Sequence, residues 1–340
     1  MAEKNRKWVL KSRPRGLVER GNFEWKEEPL PAIGDGEFLV RNLWLSCDPT
    51  QRGWMERDTY VPAVGIGEVM RSVSAGQVVE SKHPGFRAGD LVSGAFGWQD
   101  YAVSDGGGLV PPMKTPAGVD LATALSLFGI TGLTAYFGLL DVGAPKPGDT
   151  IVVSGAAGST GSFAAQIGKI KGARVVGIAG GAKKCAWLTH ELGLDAAIDY
   201  RNENVAQRIR ELCPKGVDVY FDNVGGEILD AVLAKLAGGA RIVLCGAISG
   251  YNDFEHMSGP RNYINLIIYS ASMRGFLVFD FVSRFGEAIA DLGSWVKAGK
   301  IKDQLDVMEG LENAPEALRR LFTGENLGKQ LVKIADPSRA

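Results

Sequence analysis

The sequence predicts an α/β fold in which a central, doubly wound parallel sheet is combined with a second domain of short strands. Two observations lead to this prediction. From about residue 150 to 250, apolar β-branched runs alternate with helical stretches, and repeated β-α units of this kind form parallel sheets. Before them, short alternating segments are separated by turns, which is typical of an all-β, barrel-like domain.

In the first part of the chain, the strands are predicted from alternation of apolar and polar residues and from the turns that separate them. These strands are expected within residues 37–46, 64–79, 86–94 and 98–103. Three prolines, at positions 111, 112 and 116, then form a rigid boundary, after which the composition becomes helical and apolar. The sequence therefore places the end of the barrel-like domain near these prolines.

The second part of the chain contains five short apolar runs that predict parallel strands. They are residues 151–154, 174–179, 196–199, 217–222 and 241–246. Ligands of such sheets bind beyond the carboxyl ends of the strands, so the residues just after each run are the candidates for a site. Helices are expected at about 283–298 and 313–322, followed by a final strand at 329–334 that returns to the first domain.

One stretch, residues 121–140, is free of charges and long enough to span a bilayer. Glycines and threonines interrupt it, and Asp120 and Asp141 bracket it. Two short buried helices joined at residues 129–132 are favoured over a membrane span.

Composition limits the classes of function. Lys and Arg number 38 against 39 Asp and Glu, so there is no basic surplus for binding nucleic acid or an anionic membrane. The N-terminus lacks the apolar core of a signal peptide, so a cytoplasmic protein is expected. The four cysteines are scattered and the three histidines form no zinc-ligand spacing with them. No metal is predicted.

A glycine-rich turn follows the first strand of the parallel sheet. Glycines stand at 155, 158 and 161, and helical periodicity begins directly afterwards. Such a turn lets backbone approach a pyrophosphate, whose charge then lies against the N–H groups of a helix N-terminus. The spacing is GxxGxxG instead of the usual GxGxxG, and the alternative is that small residues only permit close packing here.

The residues after the second parallel strand indicate which nicotinamide cofactor is used. An NAD site usually has an acidic residue there to hold the ribose 2′-OH, but this chain continues Gly-Gly-Ala-Lys-Lys, with cations at Lys183 and Lys184. This favours NADPH, because the lysines can pair with its 2′-phosphate. The alternative is that both lysines form a solvated first turn of the next helix.

Six segments distributed along the chain carry a family resemblance. They are DPTQRGWM from Asp48, FRAGDLV from Phe86, GLTAYFGLL from Gly132, FDNVGGE from Phe221, CGAISGYN from Cys245 and NLGK from Asn326. Together they resemble the zinc-independent medium-chain dehydrogenases/reductases of the leukotriene B4 dehydrogenase, prostaglandin reductase, curcumin reductase and alkenal double-bond reductase family. The resemblance covers essentially the whole chain.

The resemblance implies a GroES-like catalytic domain of residues 1–125 and 310–340, a Rossmann NADPH-binding domain of residues 126–309, and a homodimer. It implies that the pyrophosphate is cradled by Gly158, Ser159, Thr160 and Gly161. Lys184 is then expected to pair with the 2′-phosphate, and Lys183 remains open as the alternative. Tyr200 and Asn223 are expected to border the adenosine and ribose. The nicotinamide side is expected to comprise Thr134, Cys245, Gly246, Ala247, Ile248, Ser249, Tyr251, Phe276, Leu277, Val278 and Asn326.

The resemblance also implies a reaction: reduction of the carbon–carbon double bond of an α,β-unsaturated ketone or aldehyde by hydride transfer to the β-carbon. Charge then develops on the carbonyl oxygen, which calls for a positioned neutral donor. Tyr251 and Tyr60 match the family at positions suited to that role; the alternative for each is a tyrosine that only packs or bonds to backbone. Arg52 is expected either to contact substrate or to form a structural ion pair.

Three aromatic residues, Trp54, Trp98 and Phe279, are candidates for an apolar substrate wall, with the protein core as the alternative. Residues 253–262 have little periodicity and are a candidate mobile lid. Two other functions stay open. One is an NADPH quinone reductase, and the other is a protein that binds NADPH without turnover.

Overall fold

The computed structural model describes residues 4–108 and 110–337. Backbone contacts divide the described residues into two compact units, one within Met1–Leu125 and Leu305–Ala340 and the other within Ser126–Gln304. Residues 1–3, 109 and 338–340 of the expected domains lie outside the described residues.

The first unit begins with seven strands and two short helices. They are β1 (Lys4–Leu10), β2 (Phe23–Pro29), β3 (Phe38–Ser46), α1 (Thr50–Trp54), β4 (Ser74–Ser81), β5 (Leu91–Gly94), β6 (Tyr101–Ser104), β7 (Met113–Lys114) and α2 (Leu121–Leu125). The long strand β3 pairs antiparallel with both β4 and β6. Of the two strands predicted within residues 64–79, only the second forms, as β4. The earlier part contributes a single bridge, Val9 to Val69.

The second unit is an α/β unit with a six-stranded, entirely parallel, Rossmann-like sheet in the order β10-β9-β8-β11-β12-β13. Its strands are β8 (Thr150–Ser154), β9 (Arg174–Ala179), β10 (Ala196–Asp199), β11 (Val217–Asp222), β12 (Leu236–Leu244) and β13 (Ser272–Gly275). The five predicted strands are confirmed, although β12 begins earlier than expected because its pairing extends beyond the apolar run.

The helices of the second unit lie before, between and after these strands. They are α3 (Ile130–Phe137), α4 (Ser159–Ile170), α5 (Ala182–Ala186), α6 (Val205–Leu212), α7 (Gly226–Leu233), α8 (Asn265–Ile268) and α9 (Phe285–Lys297). Wider or tighter helical turns occupy Gly138–Gly143, Trp187–Glu191, Ile248–Gly250, Phe254–His256, Arg261–Ile264 and Val278–Arg284.

The C-terminal segment completes the first unit with β14 (Leu305–Glu309), α10 (Ala314–Thr323) and β15 (Lys329–Lys333). β15 lies between β14, to which it is parallel, and β3, to which it is antiparallel. The chain end therefore returns to the first sheet, as expected. Residues 305–309 also belong here, whereas the sequence-based division assigns them to the central domain, because pairing with a strand some twenty residues later leaves no local pattern.

The charge-free stretch forms two short helices, α2 and α3, as predicted, and the break between them lies at residues 126–129. A Cβ at Gly132 would overlap the carbonyl of Leu127, so glycine is required where α3 folds back on this break. Within residues 4–108 and 110–337, no helix is long and apolar enough to cross a membrane.

Each unit has its own apolar core. In the second unit, fully buried side chains of the parallel sheet include Val152, Val176, Ile178, Ile198, Tyr220 and Ile242. The first unit buries residues from both chain ends together, including Trp8, Leu10, Trp98, Leu311, Leu318 and Val332. Since burial of one such side chain contributes about 1.5–3 kcal/mol, the C-terminal segment is an integral part of that core.

Candidate functional site

The glycine turn between β8 and α4 has the geometry of an anion site. Gly155 has φ +58°, a left-handed conformation that favours glycine. A Cβ at Gly161 would overlap the carbonyl oxygen of Gly155, so only glycine lets α4 start this close to the turn. The first N–H groups of α4, at residues 159–161, have no intrahelical acceptor, and they lie at the positive end of the helix dipole. The turn therefore fits a phosphate group.

A hydroxyl pair links this turn to α3. The Ser159 hydroxyl donates to Thr131 Oγ1 at 2.9 Å, and Thr131 donates to the carbonyl of Ser126 at 3.1 Å. Thr134, the residue singled out from the sequence, donates instead to the carbonyl of Ile130 in its own helix. Sequence analysis missed Thr131, because nothing in the local pattern shows which hydroxyl of α3 meets the turn.

A buried carboxylate, that of Asp222, fixes the ends of β8 and β11 to each other. Its Oδ1 accepts from Ser154 Oγ at 2.8 Å and Tyr220 Oη at 2.7 Å, and also from the backbone N–H groups of Val224 and Gly225. Asn223 donates its side-chain amide to the carbonyl of Ser154 at 2.7 Å. Asn223 is thereby held beside the glycine turn.

The segment after β12 packs on the same edge of the sheet. The backbone N–H groups of Cys245 and Gly246 donate to the carbonyl of Asp222, and Ser249 Oγ donates to the carbonyl of Val224 at 2.6 Å. Burial, with the nearby charge of Asp222, raises the pKa of the Cys245 thiol to about 12. Cys245 is therefore a neutral thiol at physiological pH and a poor nucleophile.

Tyr251 lies at the end of the segment that follows β12. Its hydroxyl oxygen accepts from the backbone N–H of Ala247 at 3.1 Å, and its ring stacks on Phe254 with a centroid distance of 5.7 Å. An oxygen that accepts from Ala247 directs its own proton elsewhere. The tyrosine is thus an oriented neutral hydroxyl at the carboxyl edge of the sheet.

The residues that follow β13 divide into packing and exposed positions. A Cβ at Gly138 would overlap the Phe276 ring, and Phe276 lies edge-on to Phe281 at 6.4 Å. Val278 is buried, whereas Leu277 is exposed. Of the three, Leu277 is the most exposed to solvent.

The turn between β9 and α5 carries the two lysines. Lys183 is exposed and Lys184 is half-buried. The backbone N–H of Gly181 donates to Asp199 Oδ1 at 2.7 Å. Burial acts to raise the pKa of Asp199, but hydrogen bonds from Asn202, Gly181 and Arg201 outweigh it and hold that pKa below its ordinary value. The ionised carboxylate of Asp199, at the end of β10, therefore contacts this turn, although the turn's own sequence contains no acid. Sequence analysis missed this contact because Asp199 belongs to a different strand.

The first unit holds the other candidates. Tyr60 Oη lies 3.0 Å from Thr50 Oγ1, and the ring meets Trp54 edge-on at 6.2 Å. Partial burial raises the pKa of Tyr60, and the hydrogen bond between Tyr60 and Thr50 opposes that rise, so the hydroxyl stays protonated. The Asn326 side chain is buried and donates to the carbonyl of Gly328 at 3.0 Å.

For Arg52 and Trp98, the sequence left open a contact with substrate or a structural role, and the structure shows the structural role. Arg52 is buried and bonds to the carboxylate of Glu56 and to the carbonyls of Gly16 and Pro14, so it is a structural ion pair. Trp98 is fully buried against Phe23, with ring centroids 5.0 Å apart. It belongs to the core and lines no substrate wall.

In the part of the chain that the structure describes, no group of three or more His, Cys, Asp or Glu side chains is arranged to hold a metal ion. The Rossmann-like sheet with its glycine turn and the strand-rich unit define a two-domain oxidoreductase class. Residues 6–111 match the family described as "N-terminal domain of oxidoreductase", and residues 159–294 match "Zinc-binding dehydrogenase".

Individual relatives cover almost the whole chain. The NADPH-dependent curcumin reductase of Escherichia coli is 42% identical over 98% of both chains. The NADP(+)-dependent 2-alkenal reductase of Nicotiana tabacum is 36% identical over 98% of this chain and 99% of its own. The crystal structure of CurA from Vibrio vulnificus in complex with NADPH superimposes with a TM-score of 0.91 at 44% identity, covering 98% of this chain and all of CurA. The chain belongs to the zinc-independent medium-chain dehydrogenase/reductase family of curcumin, prostaglandin and alkenal reductases.

Proposed function

We propose that this protein is an NADPH-dependent reductase of the carbon–carbon double bond of α,β-unsaturated ketones and aldehydes. The observation that carries the proposal is the oriented hydroxyl of Tyr251, held by Ala247 beside the residues that follow β11. The relatives named for curcumin and 2-alkenals support the substrate class, since each substrate is an alkene conjugated to a carbonyl.

The residues of the second unit fit a dinucleotide. Gly158, Ser159, Thr160 and Gly161 are proposed as the pyrophosphate cradle. Two features support this: a Cβ at Gly161 would overlap the Gly155 carbonyl, and the N–H groups of residues 159–161 have no acceptor within the helix. The cations that follow Gly181 support NADPH over NADH. When bound, NADPH supplies the hydride that is added to the β-carbon of the substrate.

Negative charge develops on the substrate carbonyl oxygen during hydride transfer, and two tyrosine hydroxyls are proposed to act there. Tyr251 donates a hydrogen bond to the substrate carbonyl oxygen, a role that an oriented donor performs without the cost of reorganising in the transition state. The enolate formed by hydride addition then takes up a proton from water at its α-carbon, so the tyrosine stays protonated. Tyr60, whose pKa is raised above its ordinary value, is proposed as the second donor. Cys245 takes no part as a nucleophile, because its thiol is neutral.

The reaction class is tested by following NADPH absorbance with a panel of enones, enals and para-quinones, and with NADH alongside. Turnover of enones with NADPH preferred is the expected result. Turnover of quinones alone would make the protein a quinone reductase. A protein that is stabilised by NADPH but inert on every acceptor would be a binding protein without catalysis.

Replacing Tyr251 with Phe is expected to lower kcat on an enone about a hundredfold, because one transition-state donor is removed. The KM for NADPH should stay nearly constant, since the hydroxyl is assigned to the substrate. Tyr269→Phe, at a tyrosine that is 37% exposed and has no assigned role, is the matched control and should retain wild-type rates. Wild-type kcat/KM in both Tyr251→Phe and Tyr60→Phe would show that neither hydroxyl donates in the transition state.

We propose further that the protein is a cytoplasmic homodimer. Its four free cysteines suit a reducing compartment. β13 is an edge strand of the parallel sheet, and the segment just before it exposes a row of apolar side chains, namely Tyr263, Ile264, Ile267 and Ile268. An edge strand beside an exposed apolar patch is a surface that a second copy can cover.

A further inference from the structure

We infer that Arg201 is a specificity-determining residue of the cofactor site, whose guanidinium recognises the 2′-phosphate together with the lysines of α5. This inference rests on the proposed NADPH site and deepens it. Sequence analysis considered only Lys183 and Lys184, because Arg201 follows a different strand, β10.

The backbone of Gly180 places Arg201 at this turn. A Cβ built on Gly180 would lie 2.9 Å from Nε of Arg201 and 2.9 Å from two ring atoms of Tyr200. Both side chains therefore lie close to Gly180, the residue that follows β9 and begins the turn into α5. The glycine leaves room for them, and any larger residue would push them away.

The charges at this turn explain why a third cation is needed. The Asp199 carboxylate, 8% exposed, is 2.7 Å from the backbone N–H of Gly181. A carboxylate at this position repels a phosphate dianion placed on the same turn. A site for that anion therefore requires positive charge at the turn, and Arg201, whose charge also acts on Asp199, supplies it together with the two lysines.

Arginine is suited to the role by its shape and by its attachment. Its planar guanidinium can form two parallel hydrogen bonds to phosphate oxygens, which an ammonium cannot. The backbone N–H of Arg201 donates to Asp199 Oδ1 at 3.1 Å, so the side chain starts from a fixed point beside the turn. Lys183 and Arg201 are both exposed, but Lys183 carries a compact, strongly hydrated ammonium that cannot form this paired contact.

The test measures binding to the full-length protein, without turnover. The dissociation constants of NADPH, NADH and 2′,5′-ADP are determined by calorimetric titration for the wild type, Arg201→Ala, Arg201→Lys and Lys184→Ala. Arg201→Ala should weaken NADPH and 2′,5′-ADP about tenfold, as loss of charge-assisted hydrogen bonds predicts, and should change NADH less than twofold. Arg201→Lys should recover part of the loss. Arg210→Ala, at an exposed arginine of α6, is the matched control.

The outcomes separate this inference from the proposed function. If the wild type prefers NADPH and Arg201→Ala keeps that preference, the inference is overturned while the cofactor assignment stands. An equal loss for NADPH and NADH would also overturn it, since the residue would then act on the fold or the adenosine. A wild type that binds both cofactors equally would overturn the cofactor assignment and the inference together. Absence of turnover on enones would contradict the proposed reaction and would leave the inference about Arg201 unaffected.

Discussion

At the scale of single residues, glycines set how closely the parts of the second unit approach each other. Gly161 lets α4 lie against the carbonyl of Gly155, Gly138 receives the ring of Phe276, and Gly180 receives Tyr200 and Arg201. The sequence identifies Gly161 as special, because it stands in a motif. It does not identify Gly138 or Gly180, whose neighbours come from distant parts of the chain.

Replacing Gly161 with Ala should destabilise the protein by about 1–3 kcal/mol, because the added methyl group overlaps the Gly155 carbonyl and forces a backbone shift. NADPH affinity should fall with it, since the first turn of α4 moves. Urea unfolding and cofactor titration measure the two effects. Gly286→Ala in α9, where a Cβ meets nothing within 4 Å, should be neutral or stabilising by up to about 1 kcal/mol. Equal stability of the two variants would contradict the close approach.

Asp199→Asn should cost about 1–2 kcal/mol at neutral pH, because the carboxylate accepts hydrogen bonds from Gly181, Arg201 and Asn202. The folded-state pKa of Asp199 is lowered, so its contribution is present above the unfolded pKa and is lost as the pH falls through the folded value. The difference in free energy of unfolding between wild type and variant should therefore shrink below about pH 4. A difference that does not vary with pH would contradict the assignment.

At the scale of elements, the C-terminal strand β15 is tied to the loop before α1 by a buried ion pair. Lys329 is 2% exposed and donates to Asp48 Oδ1 at 2.5 Å and to the carbonyl of Cys47 at 3.3 Å. α1 carries Thr50, which contacts Tyr60. The family motifs that contain Asp48 and Lys329 are nearly the length of the chain apart, and the contact between them appears only in the folded unit.

Lys329→Met is expected to destabilise the protein by about 3 kcal/mol, because it leaves the Asp48 carboxylate without its buried partner. Thermal or urea unfolding provides the measurement. Lys4→Met, which removes an exposed pair with Glu27 at 3.3 Å, should leave the free energy of unfolding almost unchanged. If both substitutions cost the same, burial of the Lys329 pair would not be what stabilises β15.

At the scale of the whole molecule, the chain forms one unit from both ends and another from its middle. The first is completed only when β15 pairs with β3, and the second is built from consecutive β-α units that are neighbours in sequence. The second unit leaves an exposed apolar patch, in which Ile267 is 74% and Ile268 is 65% exposed. A patch of this kind beside an edge strand is the basis of the proposed dimer.

The double substitution Ile267→Asp and Ile268→Asp should convert the dimer into monomers, because it places charge in an apolar contact. Size-exclusion chromatography with light scattering reports the mass directly. Ile66→Asp, at an isoleucine of the first unit that is 58% exposed, should leave the dimer intact. A wild-type protein that is monomeric, or a double variant that stays dimeric, would remove this surface from consideration.

The sequence by itself determined the features that short-range patterns encode. The five apolar runs, the glycine turn and the break within residues 121–140 each follow from the spacing of neighbouring residues, and all three are found in the structure. The motifs likewise identified the family, since they are specific and extend over the whole chain.

Only the tertiary structure decided which distant side chains meet. It brought Asp199 and Arg201 to the lysine turn, joined Thr131 to Ser159, and paired β14 with β15. It also assigned Trp98 to the core and Arg52 to an ion pair. The physical reason is the same in each case: local propensity fixes an element, but contacts across a sheet edge or between chain ends depend on how the elements pack.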